Sequence, residues 1–176
     1  MSHHDHDDDH DHDHDHDDDH DHDEHDIRED FHLDIHRAVD ELGKYAIDME
    51  IRSEKGVQKD TMKKFIAELM DNIMKSCFKH GADLVGHLKS IVLTKDGNIM
   101  SSIVDEITPV RIKDSLDNDK IYEATFTMHV IVHGIWDDEV RECTLDVLDP
   151  TFKKWNVPYR IIADYYDVEK SIAHHL

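Results

Sequence analysis

From Ile27 onward the apolar positions follow two rhythms. Ile27, Phe31, Ile35, Ala38, Leu42, Tyr45 and Met49 recur at steps of three and four, which puts them on one stripe of a first helix. Gly56 falls in the break that follows, and Asp60 stands where an N-cap would open a second helix. That helix has a wider apolar face: Met62, Phe65, Ile66, Leu69, Met70, Ile73, Met74, Cys77 and Phe78, with Gly81 as its stop. The pattern predicts that the two helices pair and that the second also covers a sheet.

After Gly81 the period changes. Leu84 to Thr94 and Ile99 to Ile107 flank the turn-forming Lys95-Asp96-Gly97-Asn98, which predicts a β-hairpin. Residues 108–120 are polar and read as loop. Ile121 to His133 is the clearest strand, with Tyr122, Ala124, Phe126, Met128, Val130 and Val132 toward a core. Thr125, Thr127, His129 and His133 then share the other face. Asp137-Asp138 reads as a turn into a strand over Val140 to Leu148, closed by the Asp149-Pro150 break. Val157 to Ala163 adds an edge strand, and Asp164 to His174 a short closing helix. The expected fold is α+β: an N-terminal helical hairpin on one face of an antiparallel sheet of about five strands, ended by a short helix.

Composition divides the chain at residue 26. The 176 residues hold 42 acids, 20 Lys and Arg and 18 histidines, a net charge of -22. Met1 to Asp26 alone contain ten of those histidines, thirteen aspartates and Glu24, with no Lys or Arg. Their fourteen acids leave 28 against 20 bases in residues 27–176, a charge of -8. Without this segment the apolar fraction is about 44%, an ordinary globular value. The expected organisation is a disordered His/Asp-rich arm over 1–26 and a single domain over 27–176. Net acidity without a basic stripe argues against nucleic acid and against an anionic membrane surface. No apolar run reaches the roughly 18 residues of a spanning helix. The start lacks the pattern of a secretion signal, and two cysteines, Cys77 and Cys143, make no disulfide framework. The expected location is the cytoplasm.

The arm carries metal chemistry. Neutral imidazole suits Ni, Zn, Co and Cu, and carboxylate adds ligands. Asp11-His12-Asp13-His14-Asp15-His16 supplies both in alternation. In an extended chain, residues two apart lie roughly 7 Å from each other on one side, so a flexible arm can wrap several imidazoles around one ion. The candidate ligands are His3, His4, His6, His10, His12, His14, His16, His20, His22 and His25. Ca and Mg fit less well, since they prefer oxygen ligands. Metal identity stays open among Ni, Zn and Co.

This composition resembles the His-rich segments of nickel metallochaperones for hydrogenase and urease assembly, and the His/Asp-rich loops of zinc-uptake binding proteins. The resemblance covers Met1 to Asp26 only. It implies metal collection or storage and a client metalloprotein as partner. The nickel GTPases of that group carry a phosphate-binding loop, and no G-x-x-x-x-G-K-[ST] occurs here. This chain is therefore not a nucleotide-driven inserter by itself.

Weaker constellations lie in the domain. His32 and His36, four apart on the expected first helix, extend the ligand set, with His25 and Glu29 completing a ladder. Cys77-x-x-His80 has ligand types, yet Cys77 continues the apolar face and His80 suits a helix C-terminus. His129 and His133 lie on one strand face about 13 Å apart, too far to share an ion unaided. The leading expectation is a metal-binding accessory protein, leaning away from an enzyme. One alternative is an enzyme or small-molecule-binding domain with its site on the His129/His133 face. Another is a dimeric interaction module that uses the Met-rich second helix.

Overall fold

Alternation with a period of two builds the centre of the domain. A computed structural model describes residues 42–166. Its first strand, β1 (Leu42–Gln58), buries Tyr45, Ile47, Met49 and Ile51, every second residue. It is followed by α1 (Lys59–Lys79), β2 (Leu84–Thr94), β3 (Gly97–Ile103), β4 (Arg111–Asp114), β5 (Lys120–His133), α2 (Asp137–Trp155) and β6 (Tyr159–Asp164). The fold is α+β: six strands in the order β4-β3-β2-β5-β1-β6, each pair antiparallel, with two helices. β5 and β1 form the middle, with Ile47 opposite Met128 and Met49 opposite Phe126.

Both helices cover the same face. Phe126 of β5 packs edge-on against Phe65 of α1, with ring centroids 6.2 Å apart, and lies 6.2 Å from Phe152 of α2. Phe65 and Phe152 meet at 4.7 Å. The apolar face read for α1 is fully spent here: Met62, Phe65, Ile66, Leu69, Met70, Ile73, Met74 and Cys77 are all buried. That methionine-rich face is therefore covered by the domain's own sheet and does not serve as a dimer surface.

Several expectations are corrected. Leu42, Tyr45 and Met49 belong to a strand and not to a helix. Their spacing also fits a helical stripe, but Ile47 and Ile51 complete an alternating set, and β-branched side chains favour the pleated surface. The rest of that expected helix, residues 27–41, lies outside the described residues. There is thus no N-terminal helical hairpin within them; the helix pair comes from α1 and α2, separated by four strands. Gly56 lies within β1, at φ 70°, where the register against β5 shifts between Arg52 and Val57. The same irregularity turns Tyr122 outward, 51% exposed, against the expected inward face. Gln58 holds the α1 N-cap position and Asp60 sits in the first turn.

The strand expected over Val140 to Leu148 is α2. Val140, Cys143, Thr144, Leu148, Thr151 and Phe152 are buried at helical spacing. Asp137, Asp138 and Glu139 occupy its first turn, where the helix dipole favours acids, and the Glu139 carboxylate accepts from the Trp136 N–H at 2.9 Å. Pro150 lies inside this helix, costing one backbone hydrogen bond without ending it. Asn156, left-handed at φ 54°, supplies the stop. Residues 108–120, read as loop, contain β4; with β1 gained as well and the Val140 to Leu148 strand lost, the sheet has six strands and not five. Asp164 ends β6, and the closing helix expected beyond it lies largely outside the described residues.

Truncating the shared ring, Phe126→Ala, should destabilise the domain by about 3–5 kcal/mol. Ile162→Ala, at a half-exposed position of the edge strand, should change stability by less than about 0.5 kcal/mol. Urea unfolding followed by circular dichroism reads both.

Candidate functional site

With both helices on one face, the other face of the sheet carries every second side chain of each strand to the surface. The register sorts these into rows. Arg111 of β4 stands beside Ser102 of β3, which faces Lys89 of β2, which faces His129 of β5, which faces Ala46 of β1. One step along, Lys113, Met100, Ile91, Thr127 and Asp48 repeat the order. A cavity of about 490 Å3 opens over the β4, β3, β2 and β5 portions of these rows. Its floor is partly apolar, from Ile91 and Met100. Its rim is basic, from Lys89, Arg111, Lys113 and His129.

The floor is fixed from beneath. Ser90 and Ser101, paired across β2 and β3, are buried on the helix side and share a hydrogen bond of 2.5 Å between their Oγ atoms. The Ser90 hydroxyl also lies 3.7 Å from Met70 Sδ of α1. A polar pair satisfied inside the core ties the strands together where the basic rim stands above them.

Charge is unevenly spread across this face. On β1, Glu50 meets Arg160 at 2.7 Å and Arg52 at 2.9 Å, and Asp48 accepts from the Tyr165 hydroxyl at 2.7 Å. The Arg160 hydrogen bond is the main influence holding the Glu50 carboxyl below its ordinary pKa. Under the other half, Lys63 and Lys59 of α1 meet Asp114 from the helix side. Lys89 and Lys113 pair with no carboxylate among the described residues.

The expected His129/His133 face exists, but its two histidines have different surroundings. His133 lies at the end of β5, and its Nδ1 is 2.5 Å from Asp83 Oδ1. An ionised carboxylate only accepts, so Nδ1–H donates. His129 stands on the cavity rim. His87 of β2 faces Ile131, between the two, and its pKa is lowered, first by burial and then by the charges of Lys89 and His129. Cys77 and His80 do not form a ligand pair: Cys77 is buried, with burial pushing its thiol up to about 12, and the His80 Nδ1 bonds the Ser76 carbonyl at 2.8 Å. Among the described residues no group of three or more His, Cys, Asp or Glu could hold a metal ion. The candidate ligands of residues 1–26, together with His32 and His36, lie outside the described residues. Arg111 and Lys113 are not visible as site residues while their polar segment reads as loop. The available signal was the alternation Arg111-Ile112-Lys113, a short strand with both bases on one face.

No family model and no curated protein matches the chain. Among solved structures it is similar to the Zn(II)-bound YjiA GTPase from E. coli, at 12% identity and a TM-score of 0.33, over 61% of this chain and 30% of that one. A Zn(II)-bound triple mutant of that GTPase matches with the same figures. The chain spans less than a third of the length of these structures. Among the described residues no helix is long and apolar enough to cross a membrane.

A lowered histidine pKa means that the fold disfavours the imidazolium. Between the folded value and 6.5 the unfolded chain binds more protons at His87, so its contribution to stability is present above pH 6.5 and declines as pH falls through that window. NMR titration of the imidazole should find His87 below 6.5, and Lys89→Ala should raise it part of the way, since burial remains.

Proposed function

We propose that this protein is a metal-binding accessory protein whose first 26 residues collect or store Ni, Zn or Co. The observation that carries this reading is the density of ligands: ten histidines set among thirteen aspartates, without a single Lys or Arg. A solvating acidic segment has no use for ten imidazoles. Imidazole nitrogen selects borderline metals over Ca and Mg, and the aspartates raise the local cation concentration while adding oxygen ligands. Each site draws on several side chains spread along the segment, so binding is multidentate and exchange is fast, as suits handing an ion onward. His32 and His36 extend the ligand set toward the domain. The domain docks on a client metalloprotein or on a second copy of itself, in the cytoplasm.

The ligands must be deprotonated, and neighbouring aspartates favour the imidazolium, which raises the pH at which protons compete. Calorimetric titration of the full chain with Ni, Zn and Mg should show tight uptake of the first two near neutral pH. Affinity should fall by at least about tenfold on going from slightly alkaline to mildly acid solution. Replacing the ten arm histidines by asparagine keeps every carboxylate and should abolish that uptake. Unchanged Ni and Zn binding in this variant would place the ligands elsewhere and sink the proposal.

A further inference from the structure

We propose that the outer sheet face binds an organic phosphate, with a dianionic head between Arg111 and Lys89 and an apolar body over Met100 and Ile91. The inference is independent of the metal reading, since it uses no residue of the arm. It starts from the register. Arg111, Ser102 and Lys89 are consecutive in one row across β4, β3 and β2. Neighbouring strands are about 4.8 Å apart, so the two basic residues start roughly 10 Å from each other and their long side chains can close on one anion above Ser102. The Ser102 hydroxyl lies below that point as a donor. His129 flanks Lys89 on one side, and Lys113 stands next to Arg111 along β4.

The setting makes this concentration of positive charge unusual. Residues 27–176 carry a net charge of -8, and Lys59, Lys63, Lys75, Lys153 and Lys154 all meet a carboxylate. Lys89 and Lys113 meet none among the described residues, and Arg111 has Asp105 in its vicinity as its opposite charge. Two cations without a carboxylate partner, Lys89 and Lys113, therefore stand with Arg111 at the rim of a single cavity. Three bases and a histidine exceed what one carboxylate needs and match a phosphate dianion, for which the planar guanidinium offers two parallel donors. The half-buried Ile91 and half-exposed Met100 supply an apolar floor beside the anion position. A mostly apolar concavity with a few convergent polar groups is the usual form of a small-molecule site, and about 490 Å3 is enough for such a ligand. The buried Ser90–Ser101 bond holds β2 and β3 in register below it.

The test uses the full 15N-labelled chain, freed of metal on a chelating resin so that no ion on the arm captures phosphate. Phenyl phosphate, inorganic phosphate, benzoate and phenol are titrated and amide shifts are followed. Phenyl phosphate should give saturable shifts centred on Lys89, Ser102 and His129, and should bind more tightly than each of the other three. Lys89→Ala with Arg111→Ala should weaken it by about tenfold or more. Met100→Ser should reduce it toward the affinity of inorganic phosphate. Lys95→Ala, in the β2–β3 turn, should leave it unchanged. The proposal is overturned if no saturable shift appears at those residues, if the double variant binds equally well with its spectrum otherwise intact, or if benzoate or inorganic phosphate binds as tightly as phenyl phosphate.

Discussion

Phe126 sits at the middle of the central strand, and the rings of Phe65 and Phe152 close on it from two helices far apart in sequence. This three-ring contact is what puts α1 and α2 on one side of the sheet. Each ring buries a large apolar area, and edge-on packing adds a further small attraction. Around it, Ile47, Met49, Ile51, Leu69, Ile73 and Leu148 complete a core with almost no exposure. Tyr159 stacks on the far side of Phe152 at 4.0 Å and brings the edge strand β6 into the same assembly. Because both helices lie on one face, the opposite face is left open, with charged and polar side chains set beside the apolar Ile91, Met100 and Ile131.

That second face is organised by register more than by sequence proximity. Lys89, Arg111 and His129 come from three different strands and become neighbours only through pairing. A shift of one residue in β4 would turn Arg111 and Lys113 inward and present Ile112 to water. The ion pairs of Asp114 with Lys59 and Lys63 oppose such a slip, since they require Asp114 to face α1. The order of the basic rim thus depends on charges on the other side of the sheet.

Much of the fold was legible in the sequence, and the failures share a cause. The hairpin of β2 and β3, the strand β5, the edge strand β6 and the buried face of α1 follow from periodicity and turn chemistry. β1 reads as a helix because Leu42, Tyr45 and Met49 satisfy a helical spacing, whereas the strand shows only when Ile47 and Ile51 join them. α2 is ambiguous in the reverse sense: Val140, Val147 and Pro150 look like a strand and its end. The buried set Val140, Cys143, Thr144, Leu148, Thr151 and Phe152 is helical, and Thr144 and Thr151 bond the carbonyls four residues back. His129 on a surface face was legible from alternation alone. Arg111 and Lys113 were not, because a four-residue strand between polar loops has too few positions to show a period. The metal binding proposed for the first 26 residues rests on composition alone.

The strand order also bears on how the chain finds its structure. β1 is made first among the described elements, yet both of its neighbours, β5 and β6, follow α1 and three further strands. The central pairing therefore has high contact order, and the entropy of closing a long loop is spent before Met49 meets Phe126. During synthesis, β2 and β3 can form their hairpin locally while β1 and the apolar face of α1 wait for a partner. Folding is accordingly slow relative to a helical domain of similar size, and the waiting strand, with Tyr45, Ile47, Met49 and Ile51 in alternation, is the segment most in need of protection from other chains until β5 emerges.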